Sequence, residues 1–198
     1  MTLRKLIILA VAAPALALIP VAANAANVTT HDAAHDVVSG GQEDDTINVP
    51  EPLRREGDVL SLRVNHRANV VRVTMFEDQL TRVRKGDMAF HVFALRTNEG
   101  KRADVSLLTQ KGKWQGKADF FSGRTTKCRG LRSNVDYAKN SVQVTIPRRC
   151  LSNPRWGEVG GGTGVLTEGE AGRIYADDAN LDAKVEDDIA FGPRVRRG

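Results

Sequence analysis

Short runs in which apolar and polar residues alternate are the feature that most constrains how this chain folds. The run DVLSLRVNH at 58–66 places Leu60, Leu62 and Val64 on one side, with polar residues between them. The run NVVRVTMF at 69–76 repeats the alternation. A period of two is the pattern of a strand that buries one face and exposes the other, so both runs predict half-buried β-strands.

Further runs of β type follow along the chain, and no stretch has convincing helical spacing. They read MAFHVFALRT, ADVSLLT, GKADFF, VDYAKNSVQVTIP and GRIYADD, with glycine, asparagine, lysine and proline between them. Many short strands with a turn signal about every eight to twelve residues are typical of sandwiches and barrels. We therefore predict an all-β fold, an antiparallel β-sandwich of jelly-roll-like form.

The first 25 residues have the composition of a secretory signal peptide. Arg4 and Lys5 precede an apolar run from Leu6 to Val21, and residues 23–25, ANA, have the small-x-small form that signal peptidase accepts. We therefore expect cleavage after Ala25 and export from the cell. No later segment is long and apolar enough to span a bilayer, so the mature chain is expected to have no membrane span.

The mature chain is expected to be one domain. Its length suits a single core, with an N-terminal strand and polar loop at 26–56 and the sandwich proper, including an acidic loop and a basic tail, at 57–198. Without Arg4 and Lys5, 27 basic residues face 24 acidic ones, a net charge of +3. The body is close to neutral, which argues against a nucleic-acid partner.

The basic tail PRVRRG, residues 193–198, carries three of those positive charges. We expect it to be a solvated, frayed terminus, as chain ends commonly are. The alternative is that the tail docks against the acids Asp177, Asp178 and Asp182.

Cys128 and Cys150 are the only cysteines. In an exported protein, two cysteines this far apart are better explained by one disulfide than by a metal or redox site. Pro147 should end the preceding strand, because proline lacks the donor for a strand ladder, so the disulfide is expected at a corner. Trp156 is expected to fill the core beneath that corner; the alternative is that Trp114 and Trp156 stack on a ligand.

Residues 157–172, GEVGGGTGVLTEGEAG, are rich in glycine and predict a flexible stretch. A glycine loop that binds phosphate needs a strand before it and a helix after it. No helix follows, so nucleotide binding is not expected.

The acidic segment DDANLDAKVEDD, residues 177–188, contains spaced oxygen ligands of the kind that calcium prefers. Positions one, three, five and nine of the spacing are Asp178, Asn180, Asp182 and Glu186. The match is incomplete, because Ala183 stands where the turn favours glycine and Ile189 stands where a bidentate glutamate is expected. The segment predicts a degenerate calcium site or, alternatively, a solvated acidic loop.

A second metal candidate lies near the mature N-terminus. His31 and His35, beside Asp32 and Asp36, have a spacing that would place two imidazoles together for zinc or copper. No third ligand is evident, so an exposed segment with incidental histidines is the favoured interpretation.

Three elements resemble a family of secreted proteins from high-GC Gram-positive bacteria. They read IPRRCLSNPRW at 146–156, YADDA at 175–179 and PRVRRG at 193–198. The resemblance covers most of the mature chain and implies secretion, but it implies no activity. The stretches HDAAHDVV and GDVLSLRVNH also resemble, at the level of the fold alone, β-sandwich modules of the DOMON type.

No catalytic constellation is visible, because no Gly-x-Ser-x-Gly elbow is present and no serine has a recognisable base partner. We therefore expect a secreted, noncatalytic protein that binds an extracellular polysaccharide or protein. One alternative is a structural or interaction protein, such as an inhibitor or an assembly subunit. The other is a hydrolase whose carboxylates converge only in the fold. Its candidate acids include Asp36, Asp58, Asp177 and Asp178.

Overall fold

The computed structural model describes residues 26–41, 48–168 and 172–198, and the predicted signal peptide lies outside these ranges. Within them the chain is all-β, as predicted, and carries one short 3₁₀ helix. The strands are β1 (Ala26–His31), β2 (Val38–Gly40), β3 (Val49–Pro50), β4 (Val59–His66), β5 (Val70–Glu77), β6 (Met88–Thr97), β7 (Arg102–Gln110), β8 (Lys113–Phe121), β9 (Arg132–Asp136), β10 (Ser141–Pro147), β11 (Trp156–Thr167), β12 (Arg173–Asp178) and β13 (Arg194–Arg196).

The strands form two antiparallel sheets. The first sheet has the order β1-β4-β5-β10-β9, and the second has the order β3-β2-β12-β11-β6-β7-β8, with β13 added beside β11. No helix in these described ranges is long and apolar enough to cross a membrane.

The two sheets pack face to face through the residues whose alternation predicted the strands. Leu62 and Met75 of the first sheet meet Phe93 and Val105 of the second, and all four are at most 1% exposed. The run MAFHVFALRT coincides with β6 in full. In β4 and β5 the alternation predicted both the strand and the face that it buries. In β6 the alternation predicted Phe90 and Val92 to be buried, but His91 and Phe93 of the opposite face are buried instead, because that face of β6 points into the sandwich.

The glycine-rich segment departs from its prediction. Residues 156–167 are not flexible but form β11, the longest strand, which pairs with β6 from Gly157 to Leu166. Residues 159–165 of this strand are buried. The prediction was wrong because glycines serve a flexible loop and a closely covered strand equally well.

The C-terminal tail is docked rather than frayed. β13 pairs with β11, Val195 is 2% exposed, and the Gly198 N–H donates to the His66 carbonyl. Arg194 pairs with Glu158 of β11. The acids of 177–182 form no ion pair with an arginine among the described residues, so the docking uses other contacts than those predicted.

The predicted disulfide between Cys128 and Cys150 is confirmed, with Cα atoms 5.6 Å apart. Cys150 lies in the 3₁₀ helix Arg148–Leu151 that follows β10. Arg148, 5% exposed, donates to the carbonyls of Ala68, Asn153 and Pro154 and so fastens the corner.

Trp156 does not fill the core beneath this corner. Its ring is half-buried and is covered by the Arg194 guanidinium, 3.7 Å from the ring centroid. Leu151, 2% exposed, occupies the core position instead. The prediction was wrong because it rested on the size of the tryptophan side chain alone. The ring is instead covered at the surface by Arg194 of β13.

Candidate metal centre

Three aspartates meet where the chain crosses from the first sheet to the second. Asp32 and Asp36 lie between β1 and β2, and Asp177 lies on β12. Each offers a carboxylate oxygen, and these oxygens lie within 4.8 Å of one another. Asp177 reaches across the sandwich, because its Oδ2 accepts a hydrogen bond from Val59 N–H of the first sheet. We call Asp32, Asp36 and Asp177 the carboxylate site.

The two oxygens of each carboxylate have different environments. One oxygen accepts a hydrogen bond from a backbone N–H at 2.7–3.0 Å; the donors to Asp32, Asp36 and Asp177 are, in that order, Ala33, Ala183 and Val59. The other oxygen is buried and has no hydrogen-bond partner among the described residues. Buried polar atoms usually have a partner in the protein or in ordered water, so the three oxygens are open to a cation or to water.

The site gathers three acidic groups without a protein counter-charge. Among the described residues no lysine or arginine forms an ion pair with these three aspartates. Burial, with added repulsion from Asp177 and Asp36, raises the pKa of Asp32 to about 8. Burial, with repulsion from Asp36 and Asp58, raises the pKa of Asp177 to about 8. A bound cation would relieve this repulsion.

The donor set selects a hard cation. Carboxylate oxygens without thiolate or imidazole suit calcium or magnesium, whereas zinc sites normally include histidine or cysteine. Calcium binds oxygens at about 2.3–2.6 Å, so two oxygens on one ion lie at most about 5 Å apart. The 4.8 Å limit meets that condition. Calcium also tolerates irregular geometry, and water or backbone carbonyls would complete its coordination.

A second group, His35, Asp58 and Asp78, also has ligand atoms within 4.8 Å of one another. Its acids already have partners. The His35 N–H donates to both oxygens of Asp58, at 3.2 and 3.0 Å, and Arg55 binds both oxygens of Asp78. Because these contacts supply donors and a positive charge, this group needs a cation less than the carboxylate site does.

The acidic loop predicted to bind calcium uses several of its side chains internally. Asp178 accepts hydrogen bonds from the N–H groups of Asn180 and Ala190, and Asn180 donates to the Ala190 carbonyl. Glu186 pairs with Lys184. Asp182, by contrast, lies close enough to the carboxylate site that its charge contributes to raising the pKa of Asp32.

The loop also makes the sharp turn that its calcium-like spacing requires. Ala183 has φ +51°, in the left-handed region that glycine favours. In this conformation its N–H donates to Asp36 Oδ2 at 2.9 Å. The loop therefore supports the carboxylate site through its backbone.

The remaining predicted site residues are dispersed. Trp114 lies on β8, level with the start of β6, and Trp156 lies on β11, level with the end of β6. About nine strand residues separate these two levels, which corresponds to a distance of about 30 Å. They do not form one stacking surface. His31 is exposed at the end of β1, and His35 faces Asp58.

Sequence reasoning named every member of the carboxylate site but grouped them differently. Asp32 and Asp36 were considered with the two histidines, and Asp36 and Asp177 as hydrolase acids. The signal that would unite them is a charged residue at an inward position of a strand. Asp177 is that residue, since it is 2% exposed and lies on the same face of β12 as the buried Tyr175.

The fold and the site together define a two-sheet β-sandwich with a buried carboxylate site. No protein-family model, curated protein or solved structure matches the chain.

Proposed function

We propose that this protein is a secreted, noncatalytic β-sandwich that binds calcium at the carboxylate site. The observation that carries the proposal is the different environment of the two oxygens in each carboxylate. In each carboxylate one oxygen is held by a backbone N–H and the other is buried and unpartnered among the described residues, and the three groups bring a ligand oxygen each within 4.8 Å of one another. The signal-like first 25 residues support export to a compartment where calcium is plentiful.

A calcium ion would connect three parts of the molecule. It would join the crossing from β1 to β2, the end of β12 and, through Asp36 and Ala183, the acidic loop. These parts come from both sheets, so the ion would order one edge of the sandwich. Ligand binding of this kind stabilises the folded state, because the unfolded chain does not assemble the site.

The arrangement favours cation binding over hydrolysis by the same acids. A glycosidase needs its two carboxylates to face a substrate in a cleft. Asp36 is 8% exposed and Asp177 is 2% exposed, and neither lines the 620 Å³ cavity at this end of the sandwich. Their oxygens face one another, which suits an ion better than a sugar.

The test is calcium titration of the purified protein by calorimetry, followed by thermal unfolding with calcium and with chelator. We expect one site with a Kd on the order of 10⁻⁴–10⁻³ M, the range of extracellular modules. Asp36→Asn should weaken binding at least about tenfold, since it removes a ligand charge. At a free calcium concentration of ten times Kd, calcium should raise the free energy of unfolding of the unmodified protein by about 1.4 kcal/mol. At the same calcium concentration the variant should be stabilised less.

In chelator, Asp36→Asn should no longer be the less stable protein. Asp36→Asn should then be at least as stable as the unmodified protein, because it removes a buried acid whose pKa burial raises, and such an acid destabilises the folded state above its ordinary pKa. Asp187→Asn is the matched control, since Asp187 is exposed. Glu186→Gln tests whether calcium binds at the carboxylate site or at the acidic loop, because it changes only the loop. Loss of calcium binding in Glu186→Gln, with unchanged binding in Asp36→Asn, would overturn the proposal.

A further inference from the structure

A cavity of about 620 Å³ opens at the same end of the sandwich, beneath the connection between β5 and β6. Its volume lies within the range of about 300–1,000 Å³ that is usual for small-molecule sites. Residues 79–85 and 87 of the connection line one side, and Val165 and Ala89 line the other.

Two buried polar side chains line the cavity. His91 Nδ1 and Glu77 Oε1 lie 3.2 Å apart, and the two side chains are 1% and 2% exposed. The contact lacks the alignment of a hydrogen bond, and His91 Nε2 has no partner among the described residues either. These groups can both accept hydrogen bonds from and donate them to a ligand.

The wall of the cavity outside this pair is charged. Its basic side chains are Arg54, Arg82, Arg84 and Lys85, and its acidic ones are Glu56, Asp87 and Glu168. Two of the acids are engaged: Glu56 binds Arg54 and Thr81, and Asp87 accepts the Glu168 N–H. The Glu168 carboxylate lies against Gly86.

Arg84 and Lys85 are exposed, and no ion pair engages either of them within the described ranges. They supply a positive charge that protein acids do not use. A ligand that reaches from the buried pair to these residues would thus carry hydroxyl groups at one end and an anionic group at the other.

We propose that this cavity binds a small hydroxylated carboxylic acid of the sugar-acid class, with its hydroxyl groups at Glu77 and His91 and its carboxylate at Arg84 and Lys85. A buried carboxylate and imidazole hold adjacent hydroxyl groups through directional hydrogen bonds, which fix the orientation of the ligand. The basic pair then selects for the acid over the neutral sugar. The site shares no residue with the carboxylate site and does not depend on calcium being bound.

The experiment is calorimetric titration of the purified protein with glucuronate and with glucose, in calcium and again in chelator. Glucuronate should bind at least about tenfold more tightly than glucose, a difference of about 1.4 kcal/mol. Arg84→Ala/Lys85→Ala should abolish that preference. Arg124→Ala/Lys127→Ala removes the same charge from another exposed loop and should leave the preference intact.

Glu77→Gln keeps the size of the buried side chain and should weaken the binding of both glucuronate and glucose. That result would place the hydroxyl groups of the ligand at Glu77. A short oligomer of the acid distinguishes the source of the ligand: affinity equal to that of the monomer assigns a chain end, and lower affinity assigns the free acid. Equal affinity for glucuronate and glucose, or binding of neither at tens of millimolar, would overturn the proposal. Because the titrations are also run in chelator, that result is independent of the calcium site.

Discussion

His66 shows how burial sets the charge of a single residue. It ends β4 on the inner face of the first sheet and is 2% exposed. Its Nδ1 lies 3.3 Å from the Val195 carbonyl, and Nε2 has no partner among the described residues. Burial lowers the pKa of His66, and the charges of Arg148 and Arg197 lower it further. The ring is therefore neutral in the folded protein near pH 7.

This environment predicts a loss of stability in mild acid. The unfolded chain binds a proton at His66 near its ordinary pKa of about 6.5, and the folded chain does not until a lower pH. The contribution of His66 to stability should thus fall as pH drops below about 6.5, by at most about 1.4 kcal/mol per pH unit, opposite in sign to the contributions of Asp32 and Asp177, whose pKa values are raised. The measurement is urea unfolding of the unmodified protein and of His66→Gln at pH 7.5 and 5.5. Between the two pH values the unmodified protein should lose stability relative to the variant, and an unchanged difference between the two proteins would contradict the assignment.

At the scale of elements, β11 explains a glycine run that local patterns misassign. A Cβ on Gly160 would lie 2.1 Å from the Ala190 carbonyl oxygen, and one on Gly161 would lie 2.9 Å from Leu62 and Met75 side-chain carbons. Neighbouring chain thus covers the strand closely on both faces. The glycines of β11 provide the space for this contact, not flexibility.

The contact predicts unequal effects of one substitution at two positions of β11. Gly160→Ala should cost about 1–3 kcal/mol, the usual range for overpacking, because a backbone carbonyl blocks the new methyl group. Gly157→Ala is the milder comparison on the same strand, since its Cβ would lie 3.3 Å from the Arg96 carbonyl oxygen, a tight contact that a shift of a few tenths of an ångström relieves. Chemical denaturation of both variants measures the difference. Equal stability would mean that residues 189–190 do not pack on β11 in solution.

At the scale of the whole molecule, the sandwich has two different ends. Glu77, at the end of β5, lines the cavity, and the carboxylate site is attached to Val59, which pairs with Glu77. The disulfide corner follows Pro147, which pairs with Val70 at the start of β5. One end therefore carries the proposed ligand sites, and the other carries the covalent cross-link.

This separation predicts that removing the disulfide lowers the stability of the protein but leaves its calcium affinity unchanged. The cysteines are 22 residues apart in the sequence, so replacing both with serine should cost about 3 kcal/mol in the chain-entropy model. Urea unfolding measures that loss. Calcium affinity at low temperature should be unchanged, because the carboxylate site lies at the opposite end of β5. A large loss of calcium affinity in the folded variant would show that the two ends are coupled.

Features that depend on local pattern or on a single pairing follow from the amino-acid sequence alone. Alternating residues such as Leu62 and Val64 predicted strands and their buried faces, because a strand turns every second side chain to the core. The disulfide followed from having only two cysteines, which allow only one intramolecular pairing. These conclusions needed no knowledge of distant neighbours.

The glycine strand, the docked tail and the carboxylate site depend on tertiary contacts. Gly160 belongs to a strand because residues 189–190 cover it, and Val195 is buried because β13 finds a place beside β11. Asp36 and Asp177 meet because β2 pairs with β12, although most of the chain separates them. Each outcome rests on contacts between segments far apart in sequence, whose energies no local periodicity contains.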